Sequence, residues 1–228
     1  MHDLAVSFDA GQTLIDLDDA MLARALAGLG APINASAVDG ALAVAWLTYD
    51  RLVAEGAQHP WHRLMTALLR ELDIAEDRRA GLVAQLWEQQ LRANFWRRPV
   101  AGMIELVGEL RTAGVRVGVL SNSEGRLAEL FDEIGWRGRF DTIVDSGVVG
   151  IEKPDPRIFA IAAQQLGCPL NALIHVGDSR TADVDGAVAA GARAIGFGRG
   201  VVDPAPRVAY ARDAEAVRVA LRAWGVGI

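Results

Sequence analysis

Five times along this chain a short apolar run breaks off at a polar or glycine-rich turn, and helical texture follows. The runs are Leu4–Phe8, Val115–Leu120, Thr142–Val144, Ala172–Val176 and Arg193–Phe197. Runs of this length without alternation read as strands buried on both faces. The helical stretches between them are predicted at Ile104–Ala113, Gly125–Ile134, Pro156–Leu166, Ala182–Ala190 and Ala214–Trp224. Strand and helix alternating at this spacing predict an α/β fold: a doubly wound parallel sheet joined by right-handed crossovers.

One block breaks the alternation. From about Asp16 to Arg98, Ala, Leu, Arg and Glu dominate, and Pro occurs only at 32 and 60. Leu64, Leu68, Leu69 and Leu72 recur at helical spacing, so residues 16–98 are expected to form a separate helical domain. The sheet domain is then made of residues 1–15 and 99–228.

In an open parallel sheet the ligand crevice lies beyond the carboxyl ends of the strands. Asp9, Ser121, Asp178 and the loop carrying Lys153 all fall there. Each alone reads as a turn former or helix cap; together they share one chemistry. Asp9 and Asp178 would repel each other, and a hard divalent cation relieves that repulsion. Magnesium suits so sparse a donor set, because it completes its shell with water and phosphate oxygens. Lys153 and Ser121 would hold the remaining phosphate oxygens, and Asp9 is placed to attack phosphorus. Lys153 is also the one lysine beside 22 arginines, which fits a position needing a compact point charge rather than a planar fork.

Taken in order, Phe8-Asp9-Ala10-Gly11-Gln12-Thr13-Leu14, Leu120-Ser121-Asn122, Glu152-Lys153-Pro154-Asp155-Pro156, and Gly177-Asp178-Ser179 with Asp183 resemble the motifs of the haloacid dehalogenase-like (HAD) hydrolase superfamily. The resemblance implies a Rossmann-like core with residues 16–98 as an inserted helical cap. It implies Asp9 as nucleophile, Ser121 and Lys153 as phosphate ligands, and Asn122 and Gln12 beside the substrate. It further implies Mg²⁺ held by Asp9, the Gly11 carbonyl, Asp178 and Asp183, the last as ligand or as support. The expected substrate is a small phosphorylated metabolite.

This chain departs from the family pattern at one point of consequence. Family phosphatases carry a second Asp two residues after the nucleophile, as general acid and base, and here that residue is Gly11. Gln12, where Gly is usual, can hydrogen-bond but cannot act as an acid. Such a loss costs about 10²–10⁴ in rate, so weakened acid–base catalysis is expected. Two other readings stay open at this point. One is a 2-haloacid dehalogenase-type hydrolase, because halide leaves without a proton. The other is a catalytically weak protein that binds a phosphorylated ligand or a protein partner. Phosphonate cleavage through a Schiff base needs a lysine in the helical block, which has none.

Composition narrows the setting. A net charge of −6 with no basic stripe argues against nucleic acid, and no apolar stretch approaches the length of a membrane span. The lone Cys168 and the absence of signal-peptide order in Met1-His2-Asp3 point to a soluble cytoplasmic protein, monomer or homodimer. Trp46, Trp61, Trp87 and Trp96, with Tyr49, His59, His62, Arg63 and Arg92, are the residues of the helical block from which a substrate pocket would be built, although core packing is the simpler role for each.

Overall fold

The computed structural model describes residues 4–55, 61–198 and 205–228; Met1–Asp3, His59, Pro60 and the end of the glycine-rich run at 196–200 lie outside them. The elements in chain order are β1 (Ala5–Phe8), β2 (Ile15–Leu17), α1 (Asp19–Gly28), α2 (Ala35–Ala54), α3 (Trp61–Glu71), α4 (Glu76–Arg92), β3 (Trp96–Pro99), α5 (Met103–Thr112), β4 (Arg116–Ser121), α6 (Leu127–Glu133), β5 (Thr142–Asp145), α7 (Ser146–Val149), α8 (Pro156–Gln165), β6 (Leu173–Gly177), α9 (Gly186–Ala190), β7 (Arg193–Phe197), β8 (Val208–Ala211) and α10 (Ala214–Ala223). They fall into two compact units, Met1–Asp16 with Arg98–Ile228, and Leu17–Arg97.

The first unit carries a six-stranded sheet in the order β5-β4-β1-β6-β7-β8, with every pair parallel. This is the α/β class expected. β1 sits at the centre, where all four of its residues are fully buried. Successive side chains leave a strand on opposite faces. Ala5 and Ser7 therefore share a face with the α8 and α9 side chains Ile158, Phe159, Ala162 and Ala187, which form one apolar cluster with Ala5, Leu120 and Leu173. Local chemistry sets the ends of the helices. Asp155 caps α8 by accepting from the Arg157 N–H, Pro156 occupies the first turn, and Asp213 caps α10 by accepting from the Ala216 N–H.

The structure adds elements that sequence texture does not show. β8 is an edge strand of Val-Ala-Tyr-Ala, pairing with β7. A short helix, α7, interrupts the expected loop 145–155, capped by Asp145 through the Gly147 N–H. The predicted helix at 182–190 is a π-helical turn, Arg180–Asp185, running into α9. At the margins of the helical block, β2 and β3 pair as a two-stranded ladder, so true helix begins only at Asp19. Segments of three or four residues are too short for either periodicity to show.

The second unit packs α1 to α4 around Leu22, Leu26, Leu64, Leu68 and Leu86. Asp18 caps α1 by accepting from Met21 N–H at 2.7 Å, and Asn34 does the same for α2 through Ala37 at 2.8 Å. The tryptophans serve this core: Trp46 meets Tyr49 edge-on and Trp96 at a tilt, and Trp61 meets His62 edge-on and Trp87 at a tilt. Replacing the fully buried Leu68 by Ala is expected to cost about 2–5 kcal/mol in stability, read by urea unfolding of the whole chain.

Candidate active site

Each residue that sequence places at the sheet edge arrives there by a separate local device. Asp9 follows β1 directly, and its N–H donates to Val176 O at 2.8 Å, continuing the ladder to β6. Ser121 is buried as the last residue of β4, opposite Asp145 in register. Lys153 lies on the loop after α7, tied to Asn122 from both sides: its N–H donates to Asn122 Oδ1 at 2.8 Å, and Asn122 Nδ2 donates to its carbonyl at 3.0 Å. The Asn122 carboxamide, expected beside the substrate, is thus used to hold the lysine backbone.

The Lys153 ammonium is the electrostatic centre. It is 5% exposed and donates to Asp9 Oδ1 at 2.6 Å, Asp183 Oδ1 at 2.6 Å and Leu120 O at 2.9 Å, so its three hydrogens are all placed. Burial penalises this charge, but Asp183 and Asp9 outweigh the penalty and hold its pKa above the usual lysine range. Burial likewise opposes ionisation of Asp183, yet Lys153 and His175 overcome it and its pKa falls below the usual carboxylate range. For Asp9 the balance runs the other way: burial, with the Asp183 charge added, raises its pKa despite Lys153.

Asp183 also accepts from the Ser179 N–H at 2.8 Å through Oδ2. The π-helical turn brings it back over β6, and Gly177 leaves the room. A Cβ on Gly177 would stand 2.2 Å from Asp183 Cγ. Extra-turn geometry of this kind is common at functional sites.

Asp9, Asp178 and Asp183 present carboxylate oxygens that all lie within 4.8 Å of one another. Bonds of about 2.1 Å to magnesium place two ligands of one ion up to about 4.2 Å apart, so this all-oxygen cluster fits a hard divalent cation with at most a small side-chain adjustment. Gly11 belongs to the tight loop after Asp9, bridged to Ile15. Gln12 follows with φ of +58°, a left-handed conformation rare outside glycine and asparagine. Its Oε1 and the Oγ1 of Thr13 are buried without a hydrogen-bond partner.

One participant escaped the sequence reading. His175, inside the predicted strand Ala172–Val176, is fully buried and hydrogen-bonded to Asp183 at 3.0 Å and Ser7 at 2.9 Å. Its place on β6, two residues before Gly177, was the available signal, since residues at that spacing share a face.

A model of haloacid dehalogenase-like hydrolases matches residues 4–191. The chain belongs to that family of hydrolases. Haloacid dehalogenase-like hydrolase domain-containing protein 3 of Mus musculus is 36% identical over 107 residues, 47% of this chain and 42% of that one. A glyceraldehyde 3-phosphate phosphatase of Methanopyrus kandleri is 32% identical over 147 residues, 64% and 61% of the two chains. The chain thus spans about half the length of the curated relatives it matches. In fold it is similar to the putative HAD hydrolase YfnB from Bacillus subtilis, with a TM-score of 0.70 at 18% identity, covering 96% of this chain and 98% of that one. Among the described residues of this HAD hydrolase, no helix is long and apolar enough to cross a membrane.

Removing the buried ammonium tests the charge balance. Lys153→Met leaves Asp9 and Asp183 facing each other, which is expected to cost about 3–5 kcal/mol at neutral pH without divalent cations. The sign of its pH dependence follows from the shifts. With Lys153 present, the depressed Asp183 contributes stability above the unfolded carboxylate pKa and loses it as pH falls through the lower folded value. Without Lys153 the pair binds a proton more readily folded than unfolded, so the variant's deficit should shrink as pH drops toward 4–5, near the ordinary carboxylate range of about 4. Urea titrations at two pH values check this; a deficit independent of pH would contradict it.

Proposed function

We propose that the chain is a magnesium-dependent phosphatase acting on a small phosphorylated metabolite through an aspartyl-phosphate at Asp9. The observation that carries this reading is the Asp9 carboxylate held 2.6 Å from the Lys153 ammonium, inside a three-carboxylate cluster that fits one dication. Asp9, Asp178 and Asp183, with the Gly11 carbonyl, would hold magnesium, which supplies charge neutralisation for the phosphoryl oxygens. Glyceraldehyde 3-phosphate phosphatase among the relatives supports the substrate class.

Asp9 attacks phosphorus with a carboxylate oxygen, and the ester P–O bond breaks with its electron pair on the leaving oxygen. Lys153 fixes the orientation of Asp9 and faces the negative charge of the transferring group. Ser121, at the adjacent strand end, and Gln12 bind phosphoryl oxygens. Water then attacks phosphorus, releasing inorganic phosphate and restoring Asp9. Because residue 11 is Gly, the leaving oxygen takes its proton from water, which favours acyl or aryl phosphates as substrates. The unit Leu17–Arg97 is read as the cap that selects the substrate, and a cytoplasmic setting is part of the same proposal.

Asp9→Asn should abolish turnover of an aryl phosphate, and a metallofluoride adduct should form on the natural chain but not on this variant. Gly11→Asp should raise turnover of an alkyl phosphate by about 10²-fold or more. Absence of turnover and of the adduct in the natural chain would defeat the reading. Chloride release from a 2-haloacid without magnesium would favour the dehalogenase alternative instead.

Gln12 gives a separable test. Gln12→Gly should relieve left-handed strain and stabilise the fold by about 1 kcal/mol, while raising KM. A more stable variant with unchanged KM would remove Gln12 from the substrate site.

A further inference from the structure

β1 and β6 run side by side with Ser7 opposite His175, so both side chains leave the sheet on one face. Both are fully buried. Ser7 Oγ lies 2.9 Å from His175 Nδ1, and Nε2 lies 3.0 Å from Asp183 Oδ1. The partners assign the hydrogens. An ionised carboxylate only accepts, so Nε2 carries the hydrogen. The Lys153 ammonium already donates to the same Oδ1, and a second cation buried beside it would lack a partner of its own, so the ring is neutral. Nδ1 is therefore bare, and the Ser7 hydroxyl donates to it. Phe159 meets the imidazole edge-on, with ring centres 5.4 Å apart and planes at 83°, which fixes the ring's tilt.

The result is one directed chain: Ser7 O–H to Nδ1, Nε2–H to Asp183 Oδ1, and Lys153 to Asp183 Oδ1 and Asp9 Oδ1. Asp183 Oδ1 accepts from both His175 and Lys153, and Oδ2 accepts from Ser179. Only the remaining capacity of Oδ2 is left for a cation. Asp183 consequently acts mainly through Lys153. An apolar residue at 175 would fill the same space without burying an imidazole, so a purely packing role leaves the hydrogen-bond chain unexplained.

We propose that Ser7 and His175 are positioning residues: they lock Asp183 in the orientation that aims Oδ1 at the Lys153 ammonium, and so set where that ammonium meets Asp9. The kinetic part of this inference rests on the phosphatase reading; the structural part stands on the hydrogen-bond chain alone.

The test uses the full chain, ¹⁵N-labelled, as the natural protein and as His175→Gln, His175→Leu and Ser7→Ala. NMR of the natural protein should show the imidazole hydrogen on Nε2 and slowly exchanging Lys153 ammonium protons. His175→Leu should lose the ammonium signal and lower kcat on an aryl phosphate about 10–100-fold, the range for a group that supports a metal site from behind, with KM changed far less. His175→Gln, which returns an N–H near the Nε2 position, should recover most of both. Ser7→Ala should leave the hydrogen on Nε2, where Asp183 accepts it, but speed exchange of the Lys153 ammonium protons and lower kcat more mildly. A hydrogen found on Nδ1, or an ammonium signal untouched in folded His175→Leu, would overturn the proposal. So would a folded His175→Gln as impaired as His175→Leu. Should His175→Leu fail to fold, His175→Gln and Ser7→Ala decide: the proposal stands if the ammonium signal persists in the first and its protons exchange faster in the second, and falls otherwise. If the natural protein shows the predicted signals yet turns over no phosphate ester, the phosphatase reading fails and the positioning chain survives.

Discussion

A single ammonium bracketed by two carboxylates organises the sheet edge of this hydrolase. Lys153 Nζ meets Asp9 and Asp183 at 2.6 Å each, with all three groups buried. Charges removed from water in this way are tolerated only when their partners and remaining hydrogen-bond capacity are satisfied. The Leu120 carbonyl takes the third ammonium hydrogen, and Ser179 and His175 complete Asp183. The three groups still sum to one negative charge, and Asp178 adds another at the rim of the same cluster. An excess of carboxylate over ammonium in so small a volume is what a dication neutralises.

Most of the surrounding backbone can be understood as holding that arrangement. Asn122 clamps both main-chain polar groups of Lys153, so the residue after β4 sets the position of a loop 31 places further on. The π-helical turn and Gly177 let Asp183 reach back to the strand it follows. Gly186 admits Pro154: a Cβ there would stand 3.0 Å from the proline ring. Gln12, in the loop directly after Asp9, holds a left-handed backbone, the kind of local strain that tends to gather in functional sites.

Asp9, Ser121, Lys153 and Asp178 were legible in the sequence because each follows a buried apolar run, and the topology of a parallel sheet sends every such end to one edge. β8 and the pair β2 and β3 were not legible, because their few residues carry too little pattern. The π-helical turn, Arg-Thr-Ala-Asp-Val-Asp, reads locally as ordinary helix, since six residues are too few for a change of hydrogen-bond period to show in the sequence. The role of His175 stayed hidden because its place in the strand gives the face it shares but not the partners that meet it there. The double use of Asn122 was hidden for the same reason: its partner is a backbone from another loop.

The linear order of residues thus determined the parallel α/β class, the helical insertion and the acidic and basic groups gathered at the strand ends, since periodicity and chain direction are properties of neighbours in sequence. Only the tertiary structure decided that Ser7 faces His175 across 168 residues and that Asp183 accepts from the Lys153 ammonium. Strand register and the space beside a glycine arise from how distant segments pack, and no local pattern encodes them.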